Sequence, residues 1–183
     1  MIFRYSLTAL FPSLPRAEQE TAVVLGNTPA GDKIQFCNGT SVYTVPVDNL
    51  TKAEINNKHF YQTTVAKTSP SGYYCASGDI HGNVLVWTTT QNILKTTVRV
   101  FSGPVMDISW DSKSKRIAVV GDGQKLFGCV FLFDNGTSNG NLTGQARVMN
   151  SVDFKPSHPF RIISGSDDNT VAIFEGPPFK LKN

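Results

Sequence analysis

The sequence predicts an all-β fold of repeated four-stranded antiparallel sheets, and three observations lead there. No ten-residue segment has a convincing helical period, whereas short β-branched and aromatic runs recur between polar turns. The 183 residues include 15 glycines and 10 prolines but are only 17% charged, a composition suited to short strands joined by turns. The strand-turn-strand pattern RIISGSDDNTVAIFEGPPF at 161–179 returns in looser copies upstream, and repeats of this kind bury their faces by stacking on one another. The architecture expected is a partial β-propeller of about four blades.

Taken in order, residues 3–11 carry an apolar run that reads as a strand able to complete a distant blade, followed through Pro12 and Pro15 by a polar connector. The first unit has strands at 21–26, 33–37 and 41–46, with a Pro/Gly turn at 28–32 and a tight Asn38-Gly39 turn. Its connector, 47–58, has room for a short outer strand. The second unit has strands at 63–68, 73–77 and 84–87 and an outer strand at 96–101, with turns at 70–72 and 79–83. The third repeats the order at 105–110, 116–121 and 129–133, and its second turn, 121–128, is longer than the others. The fourth begins at 148–155 and continues through 161–165 and 170–174. The units are thus expected at 21–58, 59–102, 103–144 and 145–183, after an N-terminal strand and connector at 1–20.

The repeat length can be checked by subtraction. Pro70 and Pro156 stand 86 positions apart, Trp87 and Phe133 46, and Phe133 and Phe174 41. These spacings fit the period of about 40–45 residues of WD repeats, which makes the expected blades WD40-type. Asp168 lies six residues before Phe174, a spacing that lets the turn carboxylate reach back over the strands while the ring packs between sheets. Trp87, Phe133, Phe174 and Trp110 are assigned to the core and Asp168 to holding its turn. The repeats are degenerate: Thr88, Asp134 and Glu175 follow the three aromatics, so no Trp-Asp pair is present, and a Gly-His pair is missing before the third and fourth units. The full His, Ser, Asp and Trp hydrogen-bond network of a standard blade is therefore not expected.

Composition narrows function. A formal net charge of +3, scattered and without a Lys/Arg block, argues against nucleic acid, and no span approaches membrane length. Cys37, Cys75 and Cys129 are odd in number and lie in or beside apolar strands, which favours small buried residues in a reducing compartment over a disulfide or metal cluster. His59, His81 and His158 lack metal-ligand spacing. Sequons at Asn38, Asn49, Asn135 and Asn141 would suit a secreted chain, but the N-terminus lacks a cleavage site, so the expected location is cytoplasmic and the Asn-Gly pairs are read as turns. GDGQKLFG does not have phosphate-loop spacing and precedes a strand, and Asp167-Asp168 has no nucleophile or histidine nearby. No cofactor and no catalytic residue is expected.

The runs TALFPSLPR, GDKIQFCNGTSVYTVP, TTVAKTSPSGYYCASGD, FSGPVMDISWDSKSKRIAVVG, FDNGTSNGNLTGQARVMNSVDFKP and SGSDDNTVAIFEGPPFK closely resemble the amino-terminal part of the actin-interacting protein 1 family, most of all its nematode members. The resemblance implies an arc of a seven-bladed ring and a non-enzymatic protein of the actin cytoskeleton that binds filaments with cofilin and promotes their severing and disassembly. It also implies partner contacts at Asp167, at the long turn Asp122 to Phe127 including Lys125, and near Phe179 and Leu181. Two of these depart from the family: Lys125 stands where relatives carry an acid, and Leu181 where they carry Phe. An exposed ion pair is worth up to about 1 kcal/mol and a ring at a hot spot about 2 kcal/mol, so weakened filament binding is expected. Phe179 also reads as an outer-strand anchor, and Lys113, Lys115 and Arg116 as a solvated turn. The rival readings are an interaction scaffold that self-associates through open propeller edges, and a propeller hydrolase, for which only Asp79-Ile80-His81 offers material.

Overall fold

The computed structural model describes residues 25–182, to which every structural statement here refers; the strands expected at 3–11 and over most of 21–26 lie outside them. These residues form sixteen strands in four antiparallel four-stranded sheets. Sheet 1 comprises β1 (Gly26–Asn27), β2 (Lys33–Asn38), β3 (Ser41–Pro46) and β4 (Glu54–Asn56), and sheet 2 comprises β5 (Thr63–Thr68), β6 (Tyr74–Asp79), β7 (Asn83–Thr88) and β8 (Leu94–Arg99). Sheet 3 comprises β9 (Val105–Trp110), β10 (Arg116–Gly121), β11 (Gly128–Leu132) and β12 (Ser138–Asn141), and sheet 4 comprises β13 (Met149–Phe154), β14 (Arg161–Ser166), β15 (Val171–Glu175) and β16 (Lys180–Leu181). Each sheet is an up-and-down meander, the layout of a propeller blade, and the all-β expectation is met. Two outer strands differ from the sequence reading: β8 lies two residues earlier than expected, and β12, with the sequence SNGN, carries no strand propensity of its own.

The first strands of consecutive sheets lie side by side, β1 on β5, β5 on β9 and β9 on β13, and none of the principal contacts joins sheet 4 to sheet 1. The described residues are therefore an open run of blades. Period-two burial explains the stacking: each sheet sends alternate residues into the seam with its neighbour. Val42, Ala66, Cys75, Leu85 and Trp87 fill the first seam. Val65, Val84, Val86, Ile108, Ile117 and Phe131 are prominent in the second, and Val120, Val130, Met149, Phe154, Ile162 and Phe174 in the third. Directional bonds tie the seams. Trp110 Nε1 donates to the Lys67 carbonyl at 2.9 Å, and Ser109 Oγ accepts from the Phe154 amide at 3.1 Å. Of the aromatics assigned to the core, Trp87, Trp110 and Phe174 are buried, and Phe133 is half-buried, 4.7 Å from the Tyr74 ring and 6.0 Å from that of Trp110.

One expectation is overturned. Sheet 2 forms a full network of the kind the degenerate motifs argued against: His59 Nδ1 lies 3.2 Å from Asp79 Oδ2, His59 Nε2 2.7 Å from Ser77 Oγ, and Trp87 Nε1 donates to that hydroxyl at 3.2 Å. The physical reason is that geometry needs a buried imidazole before β5, not a Gly-His pair, and Lys58-His59 supplies it. Its partner, Asp79, stands at the end of β6, eight residues before Trp87. Sheet 4 builds a substitute in which Gln145 bonds Ser164 Oγ at 2.5 Å and the Thr170 carbonyl at 2.9 Å.

Candidate partner-binding face

The alternation of strand directions gathers two sets of loops at one end of the sheets. These are the turns between second and third strands (β2–β3, β6–β7, β10–β11, β14–β15) and the connectors leading into β5, β9 and β13. Backbone bonds lace them together: Thr63 to the Gly39 carbonyl at 2.7 Å, Ile80 to Gln62 at 3.0 Å, Val100 to Gly82 at 2.8 Å, Asp122 to Pro104 at 3.0 Å and Asp167 to Val148 at 2.9 Å. The end is consequently a fixed surface rather than a fringe of independent loops. Two glycines make the close approaches possible. Gly39 takes φ 57° in its Asn-Gly turn, and at Gly82, with φ 78°, a Cβ would sit 2.2 Å from the Phe101 carbonyl oxygen.

Of the residues singled out by sequence, Asp167, Asp122 and Lys125 lie at this end. Asp167 is exposed on the β14–β15 turn, and its carboxylate accepts a hydrogen bond from the Asn150 side chain. The long turn folds tightly: the Gly121 amide bonds the Phe127 carbonyl at 2.9 Å, Lys125 bonds Gly123 at 2.7 Å, and Gln124 takes a positive φ of 64°. Only Gln124 and Lys125 stand fully out at its tip. Asp168 is half-exposed, but its carboxylate is engaged within the protein. Its carboxylate accepts from Thr170 N at 3.0 Å, Thr170 Oγ1 at 2.5 Å and Ala146 N at 2.6 Å, so it closes its own turn and pins the incoming connector. Those bonds, the Thr170 hydroxyl foremost, hold its carboxyl below the ordinary value.

Three residues do not join that surface. Phe179 is 2% exposed and packs edge-to-face on Phe154 at 5.7 Å, which goes against the contact reading and fits the outer-strand anchor that was its alternative. Phe127 turns inward against the same core between sheets 3 and 4. Leu181 is exposed on β16, the outermost strand, against Gly144 of the neighbouring connector. The basic turn also differs from a solvated loop at one position. Arg116 donates to buried Asp111 at 3.1 Å and to Asn139 at 3.0 Å, and its guanidinium lies 4.9 Å from the Phe160 ring centre. Lys113 and Lys115 are exposed.

The same end holds residues that sequence reasoning passed over. Phe60 is 93% exposed on the connector into β5, beside exposed Tyr61, whose ring lies 4.1 Å from that of His81. The available signal was two adjacent aromatics in a connector, where burial has no call on them. Asp79, the carboxylate of the Asp79-Ile80-His81 turn, is occupied by His59, by the Asn83 side chain and by the amides of His81 and Asn83. Burial opposes its ionisation, but those bonds prevail and hold its carboxyl below the ordinary value. Cys75 and Cys129 are buried thiols whose acidity burial suppresses, the latter pushed up to about 12. Among the described residues no three His, Cys, Asp or Glu side chains gather as around a metal ion.

Comparison with known proteins agrees with the blade geometry. Residues 136–175 match the WD domain, G-beta repeat family. The chain is 79% identical to Actin-interacting protein 1 of Caenorhabditis elegans over 98% of its own residues and 30% of the relative's length. It is 48% identical to WD repeat-containing protein 1 of Rattus norvegicus and 46% identical to that of Gallus gallus, in each case over 97% of this chain and 30% of the relative. The chain thus spans about 30% of the length of the curated relatives it matches. These matches bear out the resemblance carried by the sequence runs, including its nematode character.

Proposed function

We propose that this chain, a WD-repeat relative of actin-interacting protein 1, binds actin filaments together with cofilin and promotes their severing and disassembly at the actin cytoskeleton. It does so by binding alone, without cofactor or chemistry. The observation that carries the reading is the joint one of a near-complete match along the chain and a rigid loop end bearing exposed Asp167 beside the turn with Asp122 and Lys125. A surface laced by backbone bonds loses little entropy on docking, which suits a binding module. Asp167 and the tip of the long turn face the decorated filament, and Leu181 contributes from the outer edge. The four sheets correspond, on this reading, to repeats at 21–58, 59–102, 103–144 and 145–183.

Lys125 sets the balance between partners. A lysine repels a basic patch of cofilin and tolerates an acidic filament surface, so its presence favours direct filament contact over cofilin contact. Cosedimentation with filaments tests the proposal. The chain is expected to pellet more with cofilin-decorated filaments than with bare ones; a well-folded chain that stays in the supernatant with both contradicts it.

A second reading has its own observation. The outward face of sheet 4 exposes Ile163, Val171 and Ile173, the last two on one strand and the first directly opposite Ile173. Exposed sheet faces of this kind associate, so self-association through this face is the alternative role. It does not compete for the loop end and can coexist with filament binding.

A further inference from the structure

Asp167 stands on the loop end with its backbone already fixed. The connector into β13 bonds the β14–β15 turn residue by residue: Ser166 Oγ donates to the Arg147 carbonyl at 3.2 Å, the Asp167 amide to the Val148 carbonyl at 2.9 Å, and the Ala146 amide to the Asp168 carboxylate at 2.6 Å. The turn also closes on itself, through the Asn169 amide to the Ser166 carbonyl at 3.1 Å and the Thr170 amide to Asp168 at 3.0 Å. None of these bonds uses the Asp167 side chain, so the freedom left in Asp167 is the direction of its carboxylate.

Asn150 sets that direction. Its side-chain Nδ2 donates to Asp167 Oδ1, since only the NH2 end of an amide can face a carboxylate favourably. Its place in β13 explains the reach. Met149 pairs with Ser166 and Ser151 with Gly165, so Asn150 is the unpaired residue of a β-bulge, a device that re-aims a side chain. Sheets 2 and 3 have the same irregularity in their first strands, at Thr64 and Met106. Thr64 is buried with its hydroxyl unbonded and Met106 has no N–H or O–H side-chain donor, so of the three bulges only that of sheet 4 carries an exposed amide to a turn carboxylate.

The bond orients Asp167 without neutralising it. None of the ion pairs among the described residues includes Asp167, and the amide brings no charge of its own. A lysine or arginine in the place of Asn150 would hold the carboxylate equally well but would offset its charge. Because Asp168 and the backbone already close the turn, the Asn150 bond is not needed to shape it.

We infer that Asn150 is a positioning residue, which holds the charged Asp167 carboxylate in one direction on the loop end for a cationic group of the cofilin-decorated filament. The inference rests on the filament-binding reading and deepens it: a side chain ordered before docking does not have to be ordered by it.

The test is cosedimentation of the full chain with cofilin-decorated actin filaments, comparing wild type, Asn150→Ala, Asp167→Ala and the double variant. Asn150 is exposed, so Asn150→Ala is expected to keep the wild-type thermal midpoint and to weaken binding about three- to tenfold, the cost of ordering one side chain. In the Asp167→Ala background the same substitution is expected to change nothing, because the group it positions is gone. Wild-type binding by Asn150→Ala or by Asp167→Ala, a lowered midpoint in Asn150→Ala, or an equal further loss in the double variant overturns the inference and leaves filament binding standing. Failure of the wild type itself to pellet overturns both.

Discussion

Asp79 shows how a single side chain organises a blade. Its folded carboxyl lies below the ordinary value of 3.8, because bonds from His59 and Asn83 and from the His81 and Asn83 amides outweigh burial. A lowered folded pKa stabilises the ionised form, so the contribution is complete above the unfolded value and is lost as pH falls through the folded one. Asp79→Asn is expected to lower unfolding free energy near neutral pH, and urea titrations should show the gap to wild type narrowing below 3.8; a gap that stays constant with pH contradicts this. This network was not legible in the sequence: the blade uses a carboxylate eight residues before Trp87 and a histidine after lysine, whereas the spacing at Asp168 is six residues before the aromatic and the usual histidine follows glycine. Phe179 carried two readings, partner contact and outer-strand anchor, and it lies buried with its ring packed on Phe154.

At the level of strands, legibility followed burial. β3, β5, β9 and β10 lie where their β-branched and apolar runs placed them, because none of their residues is exposed and burial enforces the pattern. The outer strands were harder to read. β12 is held by bonds to β11, with Gly140 at φ 145°, and β4 has three residues, so neither carries a hydrophobic signature. The long turn was legible in length and charge, whereas the inward fold of Leu126 and Phe127 depends on the seams beneath it. Sheets 2 and 3 are joined by one bond that can be removed cleanly. Trp110→Phe keeps most of the ring and deletes the donor to the Lys67 carbonyl, with an expected loss of about 1 kcal/mol in denaturant unfolding. An unchanged midpoint contradicts that tether.

Across the described residues, four blades stack through three seams, and the last sheet leaves one face uncovered by them. Sheet 4 presents Ile163, Val171 and Ile173 outward, with Val171 66% exposed. If that face drives self-association, sedimentation velocity should show concentration-dependent dimers in wild type and a monomer in Val171→Lys; an equally dimeric variant contradicts the role of this face. The loop end is the proposed binding surface, and its extent could not be read from sequence, because it combines residues from turns more than forty positions apart, such as Asp122 and Asp167. We propose that this end binds actin filaments in concert with cofilin, and cosedimentation of wild type and Asp167→Ala with filaments, with and without cofilin, tests it. Pelleting is expected to rise with cofilin and to fall in Asp167→Ala at unchanged thermal stability; folded wild-type protein that remains in the supernatant under both conditions contradicts the proposal.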